Sequence, residues 1–222
     1  KKPICSESNE LEMLSQIELT LQPATLARNF RPLAITAIVM SGIYLGLNHL
    51  PRQQVQSNFL FSVEERIPFW IWSIYIYWGA LIVSFFVPLC VKNPMHLRNI
   101  LSVNALSFIF NAMIWTFIPV GYPRPAFPAD DPSLAAMIYG RLTQVDTPLN
   151  SFPSGHASMM TIVLWIAYAL GGRRGALLGG FAVLGLLSIF TTKQHSFLDA
   201  AMGILTLALA FILFRARRVS LP

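Results

Sequence analysis

The residues best suited to chemistry sit in two short polar interruptions of an apolar C-terminal half. His156 lies in "SFPSGHASMM" (151–160), and His195 and Asp199 lie in "KQHSFLD" (193–199). His195 and Asp199 are spaced i, i+4, so on a helix both side chains leave one face. A carboxylate that accepts the N–H of one imidazole nitrogen fixes the tautomer and leaves the other nitrogen free to attack an electrophile. A lone HxxxD is more often a structural pair joining helices. His156 follows Pro153, Ser154 and Gly155 at a predicted helix start, where unpaired backbone N–H groups and the positive dipole end attract anions. Ser154 would add a hydroxyl there, and Gly155 would let an oxyanion come close. Arg124 in "GYPRPAF" suits bidentate contact with a phosphate, and Lys193 supplies a point charge. Each of these cations reads as readily as an interfacial residue, and Arg141, a third candidate, as a solvated or headgroup-binding one.

The elements that would position these groups are set by hydropathy. Of 222 residues, 55% are hydrophobic and 12% charged, a balance rare in soluble domains. A bilayer core about 30 Å thick needs roughly 20 apolar residues per helix. Six runs qualify: 33–50, 69–91, 99–121, 155–171, 175–192 and 196–214. The expected fold is therefore all-α, an integral membrane bundle of six transmembrane helices forming one membrane domain over 1–222. Asp199 is the only acidic residue inside these runs, and a carboxylate at such depth is costly enough to need a partner or water. The first run reads as a retained span and not a cleavable signal, because a long segment with acidic residues precedes it.

Lys and Arg are split eleven to five between the two sides of such a bundle, within a net charge of +6. The bias places both termini in the cytoplasm, with residues 1–30 as a cytoplasmic segment and the 122–153 loop on the opposite face. The basic excess is thus a topology signal and an attraction to anionic lipid, which excludes nucleic acid as the expected partner. His156 opens the fourth run and His195 the sixth, so both emerge on the extracytoplasmic side. The expected location is a plasma membrane of the bacterial type. Cys5 and Cys90 have no metal or disulfide spacing, and no metal or cofactor is expected.

Several local features carry expectations of their own. Leu11, Leu14, Ile17 and Leu21 have helical spacing, so 8–22 reads as an interfacial helix or as a partly ordered tail. Arg31-Pro32 marks the start of the first span. Trp70, Trp72, Tyr75, Tyr77 and Trp78 read as a lipid-facing aromatic belt. "DDPSLAAMIYGRL" predicts a short helix over 132–142 with Asp131 as N-cap, able to cover a site. Gly175, Gly179, Gly180 and Gly185 predict close helix packing.

"PSGH" at 153–156 and "HSFLD" at 195–199 together resemble the second and third signature motifs of the type 2 phosphatidic acid phosphatase superfamily, over about 124–203. The resemblance implies a six-helix lipid phosphatase or phosphotransferase acting on a lipid phosphate, without a metal ion. By it His195 would be the nucleophile forming a phosphohistidine, Asp199 its orienter and His156 the acid for the leaving oxygen. Ser154, Gly155 and a basic residue would hold the phosphoryl oxygens. The chain departs from the pattern at Phe117, where the first motif has lysine, and at Ile189, where the third has arginine after the serine matched by Ser188. Its "TKQH" (192–195) is similar to divergent branches, some of which move a headgroup to another lipid. A transporter with a proton path through His156, His195 and Asp199 is the alternative from another class.

Overall fold

A computed structural model describes residues 17–51, 55–56, 62–125 and 131–219. Among the described residues the helices of eight or more residues are α1 (Pro23–Asn48), α2 (Ile74–Leu89), α3 (Pro94–Phe117), α4 (Leu134–Val145), α5 (Gly155–Leu170), α6 (Gly172–Thr191) and α7 (Phe197–Val219), and a single helical turn, Ser62–Glu65, precedes α2. A 3-10 turn, Ile71–Ser73, leads into α2, and the extended structure is a two-residue parallel pairing of Val55–Gln56 with Val120–Gly121. Among the described residues five helices are long and apolar enough to cross a bilayer: Pro23–Asn48, Ile71–Leu89, Pro94–Phe117, Gly172–Thr191 and Phe197–Arg215. They mark an integral membrane protein. Helix α5, at 16 residues, rises only about 24 Å, short of the hydrocarbon thickness.

Helix α1 begins ten residues before the expected span and carries Pro32 inside it. Proline removes one backbone donor but does not end the helix here. The turns ahead of it are held from outside: Asn29 Nδ2 donates to the carbonyls of Leu89 (2.9 Å) and Val91 (2.7 Å), and Arg28 Nη2 to that of Lys92 (2.7 Å). The same corner accounts for the N-terminal segment. Residues 8–16 of the expected interfacial helix lie outside the described residues, as does Cys5, and 17–22 are not helical. Leu19 pairs antiparallel with Val91, and Thr20 N donates to Cys90 O at 2.8 Å.

The cap of α4 also differs from expectation. Ser133, not Asp131, accepts from the Ala136 N–H at 3.2 Å, while Asp131 Oδ1 takes the Ser133 N–H at 2.8 Å and shapes the turn before the helix. The helix therefore starts at Leu134 and runs on to Val145. One residue of the expected aromatic belt is corrected. Trp70, Trp72, Tyr75 and Trp78 are exposed, but Tyr77 is 2% exposed and faces inward on the stripe of Ile74 and Ala80.

Helices α5, α6 and α7 are consecutive neighbours. The α5–α6 turn is made by Gly171 and Gly172 at φ 62° and 56°, left-handed conformations that cost glycine little. Gly175 lies under the Ala167 carbonyl, and a side chain at Gly185 would meet Ala80 Cβ at 2.5 Å and Met160 Sδ at 2.8 Å, whereas one at Gly180 would meet nothing. Small residues thus bring α2, α5 and α6 close. Deeper in the bundle, Thr206 Oγ1 lies 2.8 Å from Asn111 Oδ1, and Ser158 Oγ donates to Gly203 O at 2.8 Å. These bonds satisfy polar groups that lipid cannot.

At Gly203 an added methyl would overlap the backbone carbonyl of Ser154. Alanine is the better helix former by about 1 kcal/mol, yet Gly203→Ala is expected to destabilise by about 1–3 kcal/mol because the obstacle is backbone. A lowered melting temperature in detergent is the expected reading; an unchanged or raised one contradicts the packing described.

Candidate active site

The two polar interruptions are joined through their backbones. Ser154 N donates to Asp199 O at 2.8 Å, so the start of α5 is bonded to the first turn of α7. The Ser154 hydroxyl accepts from Ala157 N at 3.2 Å and is fully buried. It is an N-cap, and its hydrogen-bonding is directed into the helix. Trp115 Nε1 donates to Pro153 O at 3.0 Å, and its ring lies beside Gly155. The start of α7 has a reciprocal cap: Ser196 N donates to Asp199 Oδ2 at 2.8 Å, and Asp199 N to Ser196 Oγ at 3.0 Å. The S-x-x-D spacing is the sequence form of this box.

These two helix starts bring the histidines into contact. His156 Nδ1 is 2.9 Å from His195 Nε2, Tyr77 Oη is 2.5 Å from His156 Nε2, and His195 Nδ1 is 2.9 Å from Ser151 O. For neutral rings the carbonyl decides every proton in this chain. A carbonyl only accepts, so His195 carries its proton on Nδ1 and presents a lone pair on Nε2. His156 then donates from Nδ1 and accepts at Nε2, and Tyr77 donates. The free nitrogen of His195 is Nε2, and it faces His156.

Asp199 does not make the expected bond to His195. Its Oδ2 is 3.8 Å from His195 Nδ1, beyond hydrogen-bonding range, and the Ser151 carbonyl holds that nitrogen instead. Asp199 Oδ1 is buried and has no hydrogen-bond partner among the described residues. The carboxylate caps α7 and places negative charge behind the His195 ring. No residue type advertises a backbone carbonyl, so the role of Ser151 had no sequence signal. Tyr77 had one, the i, i+3 stripe it shares with Ile74 and Ala80, which the surrounding tryptophans obscured.

The expected phosphate cations are occupied. Arg124 donates to the backbone carbonyl of Asp146, and its Nη2 is 3.1 Å from Asp146 Oδ2, with side chains 12% and 10% exposed. Asp146 Oδ1 also accepts from Tyr44 Oη at 2.5 Å and Asn48 Nδ2 at 3.3 Å. Arg124 Nε is buried without a partner among the described residues. Lys193 adopts φ 53° and donates from Nζ to Glu64 O at 2.9 Å. Burial draws its ammonium below the ordinary lysine range, against the Glu64 carboxylate, which raises it. Glu64, which the sequence reading passed over, is 2% exposed and accepts the Phe197 N–H at the start of α7. Tyr122 is pushed up to about 12 by burial, with the Glu64 and Asp199 carboxylates adding to it. Arg141 is exposed on α4, 3.4 Å from Gln144 Oε1.

A family model described as the PAP2 superfamily matches residues 97–220, more than half of the chain and both histidine segments. The chain belongs to the PAP2 superfamily. PAP2 members are phosphoesterases, so this protein is a phosphatase-type enzyme. Comparison with curated proteins and with solved structures gave no match.

In this PAP2 protein the histidines face a cavity of about 370 Å³ between α1, α2, α3 and α5. Asp146, Gly155, His156 and His195 line one part of it, and Leu33, Pro88 and Leu101 another. Arg124, Lys193 and Ser154 are not among its lining residues. Arg124 is thus outside the cavity lining, paired to Asp146, which is part of it.

Breaking a largely buried pair from one side leaves an uncompensated charge and costs about 3–5 kcal/mol, whereas replacing both partners by apolar groups is far milder. Arg124→Met and Asp146→Leu are each expected to lower stability by about that amount. The double variant should lose less than either single one in detergent melting. Strictly additive losses would contradict the pairing.

Proposed function

We propose that this PAP2 protein is a membrane lipid phosphatase that cleaves a phosphate or diphosphate monoester through a phosphohistidine on His195. The observation that carries the reading is the His156–His195 contact of 2.9 Å, with the lone pair of His195 Nε2 directed to the same point as His156 Nδ1–H. A nucleophile and a proton donor that meet at one point suit phosphoryl transfer, in which catalysis is mainly positioning and charge stabilisation. The site's own groups suffice for this reading without a metal.

In the first half-reaction a phosphoryl group enters between the two rings, and the substrate's acidic proton passes to cavity water while the Tyr77 hydroxyl, reprotonated from that water, hands its own proton to His156 Nε2, making an imidazolium. His195 Nε2 forms the N–P bond as the P–O bond to the lipid breaks, and the leaving oxygen takes the proton from His156 Nδ1. In the second, water forms the new O–P bond, the N–P bond breaks, and His156 takes the proton that water loses. Gly155, at the start of α5, offers backbone to the phosphoryl oxygens. Arg124 joins only if the phosphate competes with Asp146 for its guanidinium, and its unpartnered Nε–H is the donor at hand. Asp199, with its charge behind His195, favours the positively charged phosphohistidine ring.

The lipid part of the reading rests on the cavity. Along α1 its wall extends from Tyr44 to Leu33, about 16 Å of helix rise, and its surface is mostly apolar. A hydrocarbon chain fits these walls while the phosphate stays at the histidines. Counting the 16-residue α5 as a sixth crossing, the bias of Lys and Arg supports a site on the extracytoplasmic face. The "TKQH" segment favours a second outcome, transfer to a lipid or sugar hydroxyl in place of water, which shares the first half-reaction.

The test is purified protein incubated with a panel of lipid phosphates and diphosphates, with and without chelator, assayed for free phosphate, new lipids and acid-labile phosphoenzyme. Phosphate release with water as sole acceptor, unaffected by chelator, is expected, and His195→Ala should abolish both turnover and phosphoenzyme. New phospholipid without free phosphate would identify a transferase. Near-normal activity in His195→Ala would sink the mechanism.

A further inference from the structure

His156 is asked to be an acid in the first half-reaction and a base in the second, and something must hold its ring through both. The group in contact with its far nitrogen is Tyr77, 2.5 Å from Nε2, with ring centroids 4.9 Å apart. Tyr77 is 2% exposed, and its backbone is held where Ala80, one turn along α2, is seated against Gly185 of α6. The helix contact thus fixes the point from which the phenol reaches His156.

We infer that Tyr77 is a positioning residue for His156, keeping its Nδ1 aimed at the phosphoryl group and reversing its own hydrogen bond as His156 changes role. The inference rests on the phosphohistidine reading. In the resting site His156 carries its proton on Nδ1, because His195 Nε2 needs a donor, so Tyr77 donates to Nε2. Once His156 is charged, both ring nitrogens are donors, and Nε2–H donates to the Tyr77 oxygen. After Nδ1 has given its proton to the leaving oxygen, the remaining proton is on Nε2 and Tyr77 still accepts, leaving the Nδ1 lone pair free to take a proton from water. A carboxylate in this place could only accept, holding His156 charged, and a carbonyl would forbid the resting tautomer. A hydroxyl serves every state because it is both donor and acceptor.

The role predicts a signature that simple loss of packing would not give. Tyr77→Phe keeps the ring and removes the polar atom. In detergent-solubilised enzyme, kcat for a long-chain alkyl phosphate should fall about 10- to 100-fold, part of the roughly 100- to 10,000-fold that acid–base catalysis contributes. KM should stay unchanged. An aryl phosphate of acidic phenol, whose leaving oxygen needs little protonation, should lose much less in its phosphorylation step, read as the burst of released phenol. Tyr77→Gln, which can also donate and accept, should recover part of the alkyl-ester rate. Equal losses for both esters, a change confined to KM, or no change would overturn the inference. A lack of acid-labile phosphoenzyme in the wild-type protein would instead remove the reading beneath it.

Discussion

Everything at the site depends on one backbone contact, the bond from Ser154 N to Asp199 O that ties the start of α5 to the start of α7. It requires the two helices to approach at Gly203, where the Ser154 carbonyl leaves no room for a side chain. Each helix start is then closed by its own cap, Ser154 on one side and the Ser196–Asp199 box on the other. Two capped ends bonded to each other are a rigid frame, and the histidines project from its two halves. The frame brings the two rings within reach, and the hydrogen bond between them closes the 2.9 Å contact that a phosphoryl group would have to open. Trp115 and Glu64 extend the frame to α3 and to the segment before α2, by bonds to the Pro153 carbonyl and the Phe197 N–H.

The electrostatics follow from placing this frame at a membrane. An unpaired charge there is expensive, so buried ionisable groups come with partners. Arg124 is matched by Asp146, and Lys193 by the carbonyl of Glu64. Arg124 is thereby paired and Lys193 hydrogen-bonded, and neither cation lines the cavity. An incoming phosphate would find an attraction weakened by Asp146 and a nucleophile hydrogen-bonded to His156. Both interactions are replaceable by the phosphate itself: His156 Nδ1–H can turn from a nitrogen lone pair to an oxygen, and Arg124 from carboxylate to phosphate. In the proposed reaction the site therefore holds its own substitute for the substrate until the substrate arrives.

What the sequence made legible was the chemistry that residue type and spacing encode. The family, the all-helical membrane class and the meeting of His156 with His195 could be reasoned from two polar motifs placed at the starts of alternate apolar runs. Partners that carry no type signature were not legible. The Ser151 carbonyl that orients His195 is backbone, and Asp146, which neutralises Arg124, lies on a loop with no periodicity to betray it. Tyr77 was assigned to the wrong face because belt composition outweighed a three-residue stripe. Helix α1 ran through Pro32 because distant hydrogen bonds from Arg28 and Asn29 override a local signal.

The departures from the family pattern can be understood in the same terms. A site lacking the motif lysine at 117 and arginine at 189 has fewer fixed positive charges with which to grip a highly charged anion. Phe117 is 81% exposed and Ile189 is 1% exposed in the packed interior, so neither position could hand its role to a neighbour without rearranging the helix that carries it. Lys193, in the turn before His195, is bonded to the Glu64 carbonyl and does not supply the missing charge in this arrangement. On the proposed lipid reading, selectivity leans on the part of the substrate that is not phosphate, and the apolar cavity along α1 is the surface available for it. A hydrocarbon held there would concentrate the substrate and leave the anion interactions to strengthen at the transition state. That is the distribution of binding energy that raises kcat and does not merely lower KM.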